Sequence, residues 1–451
     1  MSNGLPGCCI ADDETSNAGP GGAFLGRNTA HQAPEKGTVP EEDNREGGGM
    51  SQWSEYTNGE RVKLLRGTRT QEDVANASGV SLHTLRKLEQ GGNVTLPTLL
   101  KVAEGLHSDV SVILGQQAPR RGMTTDDRAM LRELSRAVHD TAAGILFDPA
   151  EDAAPGPADL AEAASRMWRV YWRGAYTDAG VLVAPFLRSV ALYAKNAPAG
   201  QEAAAAALLS DAYRAAGLIA NFLGARDLAY AAVGHAMRYS ELAADPVRVS
   251  MLGSARARVL LRDNRVEQAL RESEAAAARY EPTFSEQAGA LLAAYGKNIV
   301  FAAVAASRLG DSSRTSDLMS QAHAVAARLG RDVFSNGMQF GPSYAGAQAV
   351  GVNVALGNAG RALEVAGRFD PSGLTQAAHN RMMLDIALAQ CDARQWDTSL
   401  DTLLEVCSGH PEWARHQAIP GVIIQRAGHA STSRLRKLSQ ILGTSPTVRL
   451  T

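Results

Sequence analysis

Between Thr70 and Gly92 the chain reads TQEDVANASGVSLHTLRKLEQGG, and few backbones satisfy that order of residues. Thr70 offers a capping hydroxyl and Asp73, three positions on, can return the bond, so a helix is expected to begin at Gln71. Val74 and Ala75 give it a small apolar face. Gly79 is the residue best able to take a positive φ and end it, with Val80 tucked under the turn. Ser81 supplies a second cap. Leu85 and Leu88 then fall on one face of the next helix, with Leu82, His83, Arg86 and Lys87 at or near the other, and Gly91 and Gly92 stop it.

Two short helices joined by a glycine turn, the second showing polar and basic groups outward, are the arrangement that enters the DNA major groove. The stretch Gly59 to Gly115 resembles the phage-repressor, or Xre, type of helix-turn-helix domain over essentially that domain's whole length. The residues that carry the resemblance are Thr70-Gln71, Glu72-Asp73, Ala75, Gly79-Val80-Ser81 and Leu88-Glu89-Gln90-Gly91. Leu96 to Leu100 with Val102, Ala103 and Leu106 looks like the family's fourth helix, and Val110 to Leu114 like its fifth. The resemblance implies a double-stranded DNA operator as partner. It places Gln71 on the DNA backbone, Leu82, His83 and Lys87 toward base edges, and Ser81, Thr84 and Arg86 near phosphates or flanking the reading face. The basic cluster before Thr70 is one residue short of the family pattern, so either Lys63 or Arg66 pairs with Glu89.

From Asn58 to Arg121 there are nine Lys or Arg against six Asp or Glu. So slight an excess holds phosphate feebly in a monomer, and a homodimer presenting two readers is expected. The whole chain is at net charge −2, so any charge-dependent function lies in local patches. Residues 1–49 carry eight acidic and three basic groups among Gly, Pro and Asn and are expected to be a disordered tail. Arg45-Glu46-Gly47-Gly48-Gly49 ahead of Met50 would be encoded by a purine-rich string like a bacterial ribosome-binding sequence, which makes Met50 a candidate start. The four cysteines Cys8, Cys9, Cys391 and Cys407 form no metal or disulfide pattern, and a reducing cytoplasm is expected, with no membrane segment.

A boundary rich in proline falls between Asp148 and Pro157, so residues 116–157 are expected to be a linker with one helix, near Asp126 to Ala142. Beyond it, 158–445 reads as helix after helix. Leu223-Gly224, Leu309-Gly310 and Leu356-Gly357 each close an Ala-rich helix ahead of another after a few residues, which gives antiparallel helical hairpins. Six pairs are expected, from Leu160 to Cys407, with helices Glu412 to Ala430 and Arg434 to Leu442 closing the stack. This resembles a degenerate tetratricopeptide-repeat array, although the Leu-Gly marks do not keep that family's period of about 34 residues. End to end, the chain resembles actinobacterial regulators that join an Xre-type reader to a repeat-type domain. The fold expected is therefore all-α: a five-helix reader at 58–115 followed by a helical-hairpin solenoid. Asn221, Tyr295, Asn298 and Asn353, on first helices of their pairs, are the candidates to face a peptide, small-molecule or protein effector on the concave side.

Among the motifs of enzyme chemistry, the phosphate loop, HExxH, the GxSxG elbow and a strand-borne GxGxxG do not occur, and no cofactor or metal is expected. Two readings follow. The chain is a sequence-specific transcription regulator whose array dimerises and senses; the alternative is an interaction scaffold in which the N-terminal domain is one more binding surface.

Overall fold

Short capped helices build the N-terminal part. The computed structural model describes residues 56–92, 94–106, 108, 110–114, 124–145, 155–283, 289–427 and 430–443. The expectations for residues 1–49, with Cys8, Cys9 and Met50, lie outside these. Helices α1 (Asn58–Arg66), α2 (Gln71–Ala77), α3 (Leu82–Glu89), α4 (Leu96–Gly105) and α5 (Val110–Ile113) follow one another as expected. Thr57 with Glu60 and Thr70 with Asp73 form reciprocal capping boxes that open α1 and α2. Gly79 takes φ +59° at the turn between α2 and α3. Val62, Val74, Leu85, Leu88, Leu99 and Ile113 are buried together and hold the five helices as one body.

Helix α6 (Thr125–Ala142) was expected inside a linker, but it is packed as part of the array. Asp127 accepts from the Thr177 hydroxyl at 2.6 Å, and Thr141 and Tyr213 share a hydrogen bond of 2.8 Å. Its buried stripe of Met130, Leu134, Ala137 and Val138 explains why it does not stand alone.

The array then runs in six hairpins: α7 (Pro157–Trp172) with α8 (Tyr176–Lys195), α9 (Glu202–Phe222) with α10 (Arg226–Leu242), and α11 (Pro246–Arg262) with α12 (Val266–Arg279). Next come α13 (Gly289–Leu309) with α14 (Ser312–Leu329), α15 (Pro342–Ala355) with α16 (Ala359–Ala366), and α17 (Gln376–Asp392) with α18 (Trp396–Gly409). The turn inside every pair holds one residue at positive φ: Gly174, Gly224, Asn264, Gly310, Gly357 and Arg394. That conformation satisfies the last helical carbonyls and reverses the chain in two or three residues. The first helices form a row, α9 on α11, α11 on α13, α13 on α15 and α15 on α17, and α17 returns to touch α7. The row thus curls around an axis. Helices α9 and α13 are long and apolar enough by composition to cross a membrane, but most of their length is buried inside the array, as core helices are.

One expectation at the end of the array needs correction. A single helix from Glu412 to Ala430 is instead α19 (Pro411–Arg415) and α20 (Ile419–Ala427), because Pro420 cannot continue a helix and starts the second one. Helix α21 (Thr432–Leu442) is the last helix of the stack among the described residues, as expected. The array also contains a hairpin of strands β1 (Val333–Ser335) and β2 (Met338–Phe340), paired antiparallel with Ser335 opposite Met338. Its turn residues Asn336 and Gly337 take φ +41° and +74°, the mirror-image turn that Asn-Gly favours. Phe334 packs edge-on against Trp172, centroids 5.5 Å apart, so the hairpin bridges the start of the array to its middle.

Candidate nucleic-acid interface

Helix α3 is capped by Ser81, whose hydroxyl accepts from the Thr84 backbone at 3.1 Å and shares a hydrogen bond of 2.8 Å with the Thr84 hydroxyl. Both side chains are thereby used in the cap. Leu85, Leu88 and Glu89 turn inward, and His83, Arg86 and Lys87 are left exposed on the opposite face. Leu82 is half-buried and packs against the domain core, so it is less of an outward residue than its place in the sequence suggests.

The angle of α3 is fixed by a carboxylate. Glu89 is only 3% exposed. It accepts from Arg66 Nε at 2.7 Å, from Arg66 Nη2 at 3.4 Å and from Gln71 Nε2 at 2.6 Å. Arg66, not Lys63, is therefore its ionic partner, and Lys63 is exposed. Arg66 Nη1 also donates to the Arg69 carbonyl at 2.7 Å. One buried acid thus ties α1, α2 and α3 with charge-assisted bonds, which hold geometry better than neutral ones.

Gln71 has a different position from the one its place in the family pattern implies. Its amide nitrogen is turned inward to Glu89, and its carbonyl oxygen accepts from Arg86 Nε at 3.3 Å. It braces Arg86 as much as it faces outward. The exposed set that can meet DNA directly is then His83, Arg86 and Lys87, a donor-rich face suited to phosphate oxygens and guanine edges. Asp73, beside it, is held below the usual carboxylate range by its bonds from Thr70, so it is a fixed negative charge of the helix cap.

The reader does not hang free. Asn58 donates to Gln425 on α20, and Arg426 of the same helix bonds both Asp392 at the end of α17 and the carbonyl of Val94, between α3 and α4. None of these hydrogen bonds uses His83, Arg86 or Lys87.

The four array candidates are not brought together. Asn298 is wholly buried and donates to the carbonyl and hydroxyl of Ser250, at 2.9 and 3.2 Å, tying α13 to α11. Asn353 donates to the Ala349 carbonyl of its own helix at 2.8 Å. Asn221 is buried near the end of α9, and Tyr295 is half-buried, its phenol pushed up by that burial. The polar residues that do converge are Arg214, Arg258 and Lys297, which line one cavity and carry no motif in the sequence. A signal existed: Lys297 is the sole charged residue between Gly289 and Ser307 in a helix otherwise apolar all round.

The helix-turn-helix family model matches residues 62–113. Searches of curated proteins and of solved structures return no match for the chain. The segment 62–113 is accordingly a helix-turn-helix domain of Xre-like type, with α2 and α3 as its two-helix unit.

Proposed function

We propose that the protein is a cytoplasmic, sequence-specific DNA-binding transcription regulator that acts as a homodimer, with the helical array as its sensing and dimerising part. The observation that carries this reading is α3: a helix locked by buried Glu89 with His83, Arg86 and Lys87 exposed along one side, inside a segment that matches the helix-turn-helix family. The weak positive balance of one reader favours two acting together, on half-sites about one helical turn, roughly 34 Å, apart or a multiple of it. The bridge from Arg426 to Val94 and Asp392 supports coupling, since a shift of α17 or α20 would be felt at the reader. An effector acts through such a bridge only if it favours one arrangement over another.

Capture of genomic DNA by the purified full chain at fixed physiological salt tests the proposal. A short inverted repeat should be enriched. Recovery without any common sequence would favour the scaffold reading, in which the N-terminal domain is a surface for a protein.

A further inference from the structure

On the inner side of the row of first helices, three cations from three helices point at one small cavity: Arg214 from α9, Arg258 from α11 and Lys297 from α13. Arg214 and Lys297 are only 4% and 6% exposed. Cations are rarely buried without carboxylates to match them, because each costs several kcal/mol of lost hydration. Here the match is only partial. Among the described residues no carboxylate lies within 4.0 Å of Arg258 or Lys297. Asp211 Oδ1 is the ionic partner of Arg214 Nη2 at 3.9 Å, beyond hydrogen-bond distance, while its Oδ2 is held by Arg248 at 2.8 Å, so this one carboxylate is shared between two guanidinium groups. Arg214 Nη2 has no hydrogen-bond partner at all.

The groups in direct contact with these cations are mostly aromatic and neutral. Arg214 lies over the Trp168 ring at 5.1 Å and Arg258 over Phe301 at 5.4 Å. Lys297 Nζ donates to the Gln339 carbonyl at 2.9 Å and sits 3.3 Å from the centre of the Tyr344 ring. Arg258 reaches the Tyr171 hydroxyl only at 3.5 Å. Rings and carbonyls soften the cost of burying charge but do not neutralise it. The space between them is about 30 Å³, room for about two water-sized groups. Strand β2 and the Asn336-Gly337 turn close one side, with Gly337 and Met338 in the wall.

We propose that this cavity is an anion site, built to take the carboxylate head of a small organic acid or of a peptide C-terminus between Arg214, Arg258 and Lys297. Two oxygens fit the space, and the forked guanidinium donors suit a carboxylate's geometry. The Lys297 amine is held well below the usual lysine range by burial and then by Arg258 and Arg214, with Asp332 pulling the other way, and an arriving negative charge would favour its protonated form. The binding site stands on this geometry alone; its role as the input to DNA binding rests on the regulator reading above.

The test is calorimetric titration of the full chain with acetate, benzoate and tetra-alanine with a free or an amidated C-terminus, at constant ionic strength. Saturable binding of at least one free carboxylate is expected, with the amidated peptide inactive and with at least tenfold weaker binding in Lys297→Met. Benzoate binding without the peptide would identify a small acid, and the reverse a peptide end. Lys297→Met should also melt higher than wild type when no anion is present, because it removes a buried charge without a carboxylate. No saturable binding by any probe would overturn the site, and a lower melting temperature in Lys297→Met would then show that the cations serve packing. Arg258→Met, at a partly buried position, gives the same comparison if Lys297→Met does not fold. Binding that leaves DNA affinity unchanged would keep the site and remove its sensing role, whereas a wild type that binds no DNA either with or without the carboxylate would strike the regulator reading and leave the site intact.

Discussion

Glu89 shows how much can hang on a single side chain. It is a buried acid whose oxygens meet Arg66 and Gln71, and replacing it removes the centre that orients three helices. Glu89→Ala is expected to destabilise the reader by about 2–3 kcal/mol, since it leaves a partly buried guanidinium and an amide without their acceptor; chemical denaturation followed by circular dichroism would measure it. The pairing itself was half legible. Sequence narrowed the partner to Lys63 or Arg66, and only the packing of α1 on α3 could choose, because both cations lie on one helix. The sequence also pointed to Ser81, Thr84 and Gln71 as DNA-facing, yet their polar atoms are used in a cap and a brace. Local bonding of this kind is invisible until the backbone places the groups together.

At the scale of elements, the six turns at positive φ explain why the array could be read as hairpins but not as a repeat. Leu-Gly marks flagged three of them, at Gly224, Gly310 and Gly357, whereas Asn264 and Arg394 hold the same conformation without glycine. Arg394 is exposed and takes φ +61°, a region that disfavours a side chain by about 1–2 kcal/mol. Arg394→Gly is therefore expected to stabilise the array by up to about 1 kcal/mol, the glycine's extra freedom in the unfolded chain offsetting part of the gain. A thermal melt of the variant that falls below wild type would contradict this. The β-hairpin was missed for the opposite reason. Its eight residues, Val333 to Phe340, carry the Asn-Gly signal between apolar positions, but they sit between long helices that dominate any reading by period.

Over the whole molecule, the chain's last helices return to its first ones. His416, between α19 and α20, lies 3.7 Å from Asp127 of α6 and against Phe222 of α9. Burial holds its imidazole below the usual histidine range, Asp127 pulling the other way and Arg262 and Arg415 adding to the depression. The unfolded chain then binds the proton more readily than the folded one, so this contribution to stability is complete above pH about 6.5 and is lost as pH falls below it. The melting temperature should drop between pH 7.5 and 5.5, and by less in His416→Gln; the comparison cancels the other titrating groups. The same closure puts Arg426 in reach of Val94, joining array to reader through a contact between residues far apart in sequence. No sequence pattern announces such a contact. The measurement that bears most directly on the central claim is the affinity of wild type and Lys87→Ala for the inverted repeat recovered from genomic capture, by fluorescence anisotropy at one stated salt concentration. Lys87 is exposed on α3 and outside the Glu89 network, so the account predicts a loss of about 1–3 kcal/mol with the fold unchanged. Equal affinity of the two proteins would contradict the assignment of α3 as the reading helix.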